Sequence, residues 1–376
     1  MKKILATSFA ILMILVSCKQ EKNKSDIITI DLGKTRNKQG SKNFKLNDIA
    51  KNTKLIPIET NDSVLFRHVI IEGEIEEILV VHGGNLVGNK AIYFINKADG
   101  KVSSKIARHG QGPEEYILIG PINLNKRNNT LYLSDPGSKR VNEYTFAGKF
   151  IKSIRNDSVG GFVVFKDGNF AVSYSPFLET EFSLGIYDSS WNLLRKGIPK
   201  IGTDIKFDMV YFDEIIEFND EYFYLQAHSD TLYRITADFN EPYLVLSKGK
   251  YKMPLEIKAS LAETEKEGYK YITGHYGILA SKYYFLSYHY NYKLYREIWD
   301  IEKSSLIYKH EFDYFRDGEL GVSGVPIIIE GQKIYAWPSF ASGQSLYCII
   351  EGENTLKLMP ELPMDTNPII LEIKLK

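Results

Sequence analysis

Cysteine is nearly absent: the 376 residues hold only Cys18 and Cys348. Two distant thiols make no CxxC pair and no disulfide framework, so packing must hold the fold together. Excess charge of either sign is also missing. Lysine and arginine number 47 and aspartate and glutamate 47, for a formal net charge of zero. That gives no support for general nucleic-acid binding, which needs a clustered basic surface. The apolar run from Ile4 to Val16 falls short of the roughly 20 residues that span a bilayer. Catalytic signatures are missing as well. There is no HExxH helix, Gly321-Val-Ser-Gly324 is not a GxSxG elbow, and Gly83 to Lys90 lacks the lysine and hydroxyl spacing of a P-loop. The seven histidines are dispersed and no EF-hand spacing occurs, so no metal site and no nucleotide cofactor is expected.

What is present begins with an address. Lys2 and Lys3 precede the short apolar run, in the order of a signal peptide. Leu15-Val16-Ser17-Cys18 resembles the lipobox of bacterial lipoproteins. The resemblance implies cleavage after residue 17, acylation of Cys18 and a membrane-anchored protein of the cell envelope. Residues 19–26 are polar and without apolar periodicity, as expected of a tether. Residues 18–44 are assigned to this tether and an early strand, and 45–376 to one domain.

That domain reads as strands. Aromatic residues make up 13% of the chain, including 25 Tyr and 20 Phe, and such residues favour strands. Short apolar runs such as Thr130-Leu-Tyr-Leu-Ser134 and Tyr222-Phe-Tyr-Leu-Gln226 are bounded by Gly, Asn and Asp turns. Asp99-Gly100-Lys101 and Ala147-Gly148-Lys149 lie 48 residues apart. Aligning strands before such turns gives Asn96, Tyr144, Tyr187, Ile235, Trp299 and Ile349, at intervals of 48, 43, 48, 64 and 50. A period of about 45–50 residues with four strands per unit is that of a β-propeller blade. Six units fit an all-β, six-bladed β-propeller. The long interval holds the one clear helix candidate, a short insertion near 255–267. An early strand, Ile27 to Leu32 or Lys54 to Glu59, is expected to pair with a late one, near 346–350 or 369–375, and close the ring.

Several segments carry a family resemblance. Leu131-Tyr-Leu-Ser-Asp135, Lys139-Arg-Val-Asn-Glu-Tyr144 and Gly148-Lys-Phe150 resemble an NHL-type blade. Arg108-His-Gly-Gln-Gly-Pro-Glu-Glu-Tyr116 resembles the R-x-G-x-G-P-G-E-Y loop of six-bladed propeller lipoproteins from Gram-negative envelopes, with Glu114 in place of the last glycine. Asp230-Thr-Leu-Tyr-Arg-Ile235, Pro242-Tyr-Leu-Val-Leu246 and Asn367-Pro-Ile-Ile-Leu371 resemble further segments of that family, in the same order. The resemblance implies the fold and carries little about activity.

Two groups are candidate binding residues. Arg108, Gly110, Gly112, Pro113, Glu115 and Tyr116 form a turn-rich loop with charged side chains, which also reads as a structural connector between blades. Tyr288, Tyr290 and Tyr292 fall near a turn and are the aromatic residues expected at the surface, where rings stack on sugars. Three functions follow. The first is a non-catalytic binding or scaffold lipoprotein presenting a propeller face to a glycan, peptide or envelope protein. The others are a structural subunit of an envelope complex and a metal-dependent hydrolase or lyase with its site at the axis.

Overall fold

The computed structural model describes residues 27–38, 40–41, 43–66, 68–83, 91–155, 159–174, 180–208, 213–313, 324–363 and 365–376. Cys18 and residues 321–323 lie outside them. The chain forms a six-bladed β-propeller with a few short helices. Blade 1 runs from the strand Val69–Ile75 to Val102–Ile106, blade 2 from Ile122–Asn125 to Phe150–Arg155, and blade 3 from Val159–Val164 to Leu193–Lys196. Blade 4 runs from Glu214–Phe218 to Asn240–Ser247, and blade 5 from Thr273–Ala280 to Ser305–Asp313. Blade 6 takes Pro338–Ser342, Ser345–Ile350 and Ile369–Leu375 from the C-terminal end, and Ala50–Pro57 as its fourth strand. Each first strand contacts the first strand of the next blade, and Pro338–Ser342 contacts Val69–Ile75, so the ring is closed.

Alternation along each strand explains why these apolar runs become blades. Successive side chains point to opposite faces of a sheet. Here both faces are buried, because each blade lies between two others. On the strand Ile78–Gly83, Leu79 and Val81 pack towards blade 6, while Val80 packs towards blade 2. Six hydrophobic clusters result, one at each interface between neighbouring blades. Cys348 is fully buried in the cluster between blades 5 and 6, and burial pushes its thiol up to about 12.

The ring is closed by Ala50–Pro57, which pairs antiparallel with Ile369–Leu375. The earlier strand, Ile28–Asp31, goes elsewhere: it lies parallel to Asn240–Ser247 as a fifth strand of blade 4. Its Ile30 is fully buried there. The closure is clipped by Asn367. This side chain accepts from Phe66 N at 2.8 Å and donates to Val64 O at 2.8 Å and Glu59 O at 2.6 Å. At the repeat-marking turns, Gly100 and Gly148 adopt φ of +73° and +80°, which glycine does at little cost. A Cβ on Gly100 would also sit 1.8 Å from Pro57 O, so this turn abuts the closing strand.

Two details differ from the sequence reading. Asn96, Tyr144, Tyr187, Ile235 and Trp299 occupy third strands of their blades, but Ile349 is on the second strand of blade 6. The offset arises because an extra hairpin, Val325–Ile329 with Gln332–Ala336, precedes that blade and its last strand comes from the N-terminal side. The helix near 255–267 is two short helices, Leu255–Ala259 and Leu261–Glu267. They break at Ser260, whose extended backbone lets its hydroxyl accept from Glu263 N and start the second helix.

Candidate functional site

The helical insertion between blades 4 and 5 roofs a cavity of about 610 Å3. Its floor is the 226–230 turn of blade 4, its far wall the 289–292 turn of blade 5. The walls are tied together. Asn291 N donates to Tyr269 O at 2.9 Å, Ile272 N to Tyr251 O at 2.9 Å, and Asp208 N to Ala259 O at 2.8 Å. Lys258 Nζ, from the first short helix, reaches Ala227 O at 2.7 Å.

Charge is concentrated on the floor. The Asp230 carboxylate receives Lys248 Nζ at 2.7 Å and Lys252 Nζ at 2.9 Å. Burial opposes its ionisation, but the two lysines outweigh burial and hold its pKa below the ordinary carboxylate value. Lys248 also lies 3.2 Å from His275 Nδ1. An ammonium only donates, so His275 accepts at Nδ1 and carries its proton on Nε2. Nε2 is shielded from solvent and has no hydrogen-bond partner among the described residues. Burial, reinforced by Lys248, pushes His275 down to about 3. His228 stacks on Phe207 with centroids 4.2 Å apart, and burial with the Lys258 charge pushes it to about 4. Both imidazoles are therefore neutral near pH 7.

The Lys258 ammonium is perturbed as well. Burial pushes it down to about 8, and the Lys248 charge adds to the effect. On the axial side, Glu214 is pushed up to about 7 by burial and by the adjacent Asp213. Asp213 itself accepts from Tyr224 OH and from Ala227 N, the latter at 2.9 Å. At the mouth, Tyr269 and Tyr292 stack face to face with centroids 5.1 Å apart. Tyr292 is 64% exposed and sits, with Asn291, at positive φ in the tight turn of the blade 5 hairpin.

The candidate loop Arg108–Tyr116 lies elsewhere, in the connection from blade 1 to blade 2, and its polar groups are consumed internally. Arg108 pairs with Glu114 at 2.7 Å and donates to Gly148 O at 3.2 Å. Glu115 accepts from Gly112 N at 2.7 Å. Gly110 N donates to Tyr116 O, and Tyr116 is fully buried with its hydroxyl on Ile106 O at 3.0 Å. A Cβ on Gly110 would lie 2.0 Å from the Glu115 carboxylate, so that glycine makes room for the carboxylate. Glu114 is not at positive φ, so glycine is not required there. Pro113 belongs to the same turn and lines no part of the cavity.

Of the three tyrosines expected at the surface, Tyr292 is exposed and Tyr290 half-buried on the cavity wall. Tyr288 is buried, which corrects the expectation. The strand continues through it, so alternation turns it into the interface with blade 4. There it stacks on Tyr295 and donates to Glu297 at 2.6 Å. The cavity's ionisable residues Glu214, His228, Asp230, Lys248, Lys252, Lys258, Glu265 and His275 are spread over 62 positions and share no spacing motif. The only signal available was that several adjoin the helical insertion. No group of three metal-ligating side chains occurs among the described residues.

The chain belongs to the family described as Domain of unknown function (DUF4934), whose model matches residues 27–374. Among solved structures it is similar to a candidate exported protein of Bacteroides fragilis NCTC 9343, at 16% identity and a TM-score of 0.67, covering 93% of this chain and 99% of that one. It is also similar to a member of the DUF4221 family from Bacteroides vulgatus ATCC 8482, at 11% identity and a TM-score of 0.52, covering 87% and 97%. At these identities the likeness concerns fold alone. No curated protein matches the chain in sequence.

Proposed function

We propose that this protein is a non-catalytic binding lipoprotein of the cell envelope, anchored through Cys18, with its ligand site in the cavity between blades 4 and 5. The observation that carries the reading is the cavity itself. Its volume falls within the ~300–1,000 Å3 typical of small-molecule sites, and it combines apolar walls with a few convergent polar groups. The similarity to a candidate exported protein and the signal-like residues 1–18 support the envelope address. The entry of the chain supports the orientation. Ile27 and Ile28 lie beside Asn219, Ser281 and Ser304, in turns at the face of the disc opposite the cavity. An anchor attached there directs the cavity mouth away from the bilayer. Titration of the purified protein with a panel of glycans and peptides tests the reading. Saturable binding lost on filling the cavity with Thr273→Trp is expected; binding unaffected by that change places the site elsewhere, and turnover of the ligand would replace binding with catalysis.

A further inference from the structure

We infer that the N-terminal segment Ile28–Arg36 is a strap that couples the entry of the chain to the cavity. Its strand is seated on blade 4, and Arg36 is a positioning residue that clamps Tyr290 in the cavity wall. The inference goes beyond the proposed binding and concerns what holds the walls of the cavity in place.

The path of the segment carries the first argument. Ile28–Asp31 starts beside turns of the face opposite the cavity and runs parallel to Asn240–Ser247. It therefore crosses the disc and ends where Lys248 joins the cavity wall. The short helix Leu32–Thr35 follows, with Lys34 N donating to Asp31 Oδ1 at 2.9 Å. It packs on the turn Gly249–Tyr251, so closely that a Cβ on Gly33 would lie 3.3 Å from Lys248 O. Leu32 is buried in the hydrophobic cluster between blades 4 and 5, against which Tyr251 and Tyr290 also pack.

The second argument is how Arg36 is held. Its guanidinium carbon lies 3.8 Å from the centre of the Tyr290 ring and 5.3 Å from that of Tyr251, and these two rings meet edge to face at 5.4 Å. Its Nε is shielded from solvent and has no hydrogen-bond partner among the described residues. The rings supply the contact instead, and a cation over an aromatic face is held more firmly where water is excluded. Arg36 O accepts from Lys309 Nζ at 3.0 Å, and that ammonium pairs with the fully buried Glu297 of blade 5, also at 3.0 Å. The segment is thus fastened to blade 4 by its strand and to blade 5 by Arg36, behind the cavity that these two blades enclose.

The third argument is that the seat can open by itself. A four-residue parallel strand, added to a sheet edge close to the chain terminus, is an element that unfolds locally before the blades do. When it lifts, Arg36 leaves Tyr290 and the turn at Gly249–Tyr251 loses its backing. Coupling of this kind is reciprocal, so whatever fixes the wall also seats the strap.

The test is amide hydrogen exchange of the full chain, with no ligand added, in Arg36→Ala, Arg36→Lys and Tyr290→Ala. Arg36→Ala is expected to speed exchange in 249–253 and 289–292 about tenfold, as loss of a desolvated cation–π contact implies, and to leave Phe170–Tyr174 of blade 3 unchanged. Arg36→Lys keeps a cation near the rings and is expected to restore part of the protection. Tyr290→Ala is expected to speed exchange in 28–36 by a similar factor. Arg36 is only half-buried, so its two variants keep the fold even if the tyrosine variant does not. Faster exchange confined to 28–36 in Arg36→Ala, an equal rise in every blade, or no change overturns the inference. An Arg36→Lys no better protected than Arg36→Ala, or a Tyr290→Ala that leaves 28–36 as in the parent, does the same. These results are read without a ligand, so failure of the glycan and peptide panel overturns the proposed function and leaves the strap in place.

Discussion

Asn367 and Asp135 do at single positions what sequence pattern alone does not reveal. Asp135 is fully buried and accepts from Ile117 N, Leu118 N, Gly137 N and Ser138 Oγ, joining the blade 1–2 connection to blade 2. Removing it strands three backbone donors. Asp135→Ala is expected to lower stability by about 3 kcal/mol in denaturant titration, against at most about 1 kcal/mol for Glu114→Ala, whose ion pair with Arg108 is solvent-exposed. The cavity gives a pH signature of its own. Burial pushes Lys258 down to about 8, so any binding in the cavity that uses its positive charge is expected to weaken between pH 7 and 9, read by titration at each pH. In Lys258→Met that pH dependence is expected to flatten. His275 and His228 act at the acid end. Both are held neutral in the fold, far below the ordinary value of 6.5, so the unfolded chain takes up protons first as pH falls. Stability is therefore expected to drop as pH goes from 6.5 towards 4, and thermal melts of His275→Gln should show a shallower drop.

At the scale of elements, alternation and turn residues made most blades legible. The turns at Gly100 and Gly148 and the third strands of five blades were readable because every blade repeats the same burial on both faces. Blade 6 was misaligned by one strand because its fourth strand arrives from the N-terminal end and an extra hairpin precedes it. Two early strands were equally good candidates for ring closure. What separates them is the partner edge: Ile28–Asp31 adds in parallel to blade 4, and Ala50–Pro57 closes blade 6. The two should therefore differ when removed. A chain starting at residue 45 is expected to keep a cooperative melt at a reduced midpoint, since it loses the buried Ile30 and Leu32. A chain starting at residue 58 leaves the Ile369–Leu375 edge unpaired and is expected to lose cooperative unfolding, measured by circular dichroism. The cavity stayed illegible for a related reason. Its lysines, histidines and aspartate come from two blades and an insertion, and they converge only where blades 4 and 5 pack side by side.

The whole molecule is a disc with two unlike faces. The N-terminal strand enters beside the turns at Asn219, Ser281 and Ser304, while the cavity opens at the opposite face. If the chain is held to a bilayer through Cys18, the cavity face is the outer one. A Tyr292→Cys variant on intact cells or vesicles is then expected to react with a bulky thiol reagent faster than Ser304→Cys, and the fully buried Cys348 contributes no background. Equal labelling would contradict the orientation. The most direct measurement of the central claim is amide hydrogen exchange of the whole protein with and without the tightest binder of the glycan and peptide panel. Slower exchange is expected in 226–230, 248–274 and 289–292, the segments that line the cavity. Protection confined to Arg108–Tyr116 or to the turns of the opposite face, with those cavity segments unchanged, would contradict it.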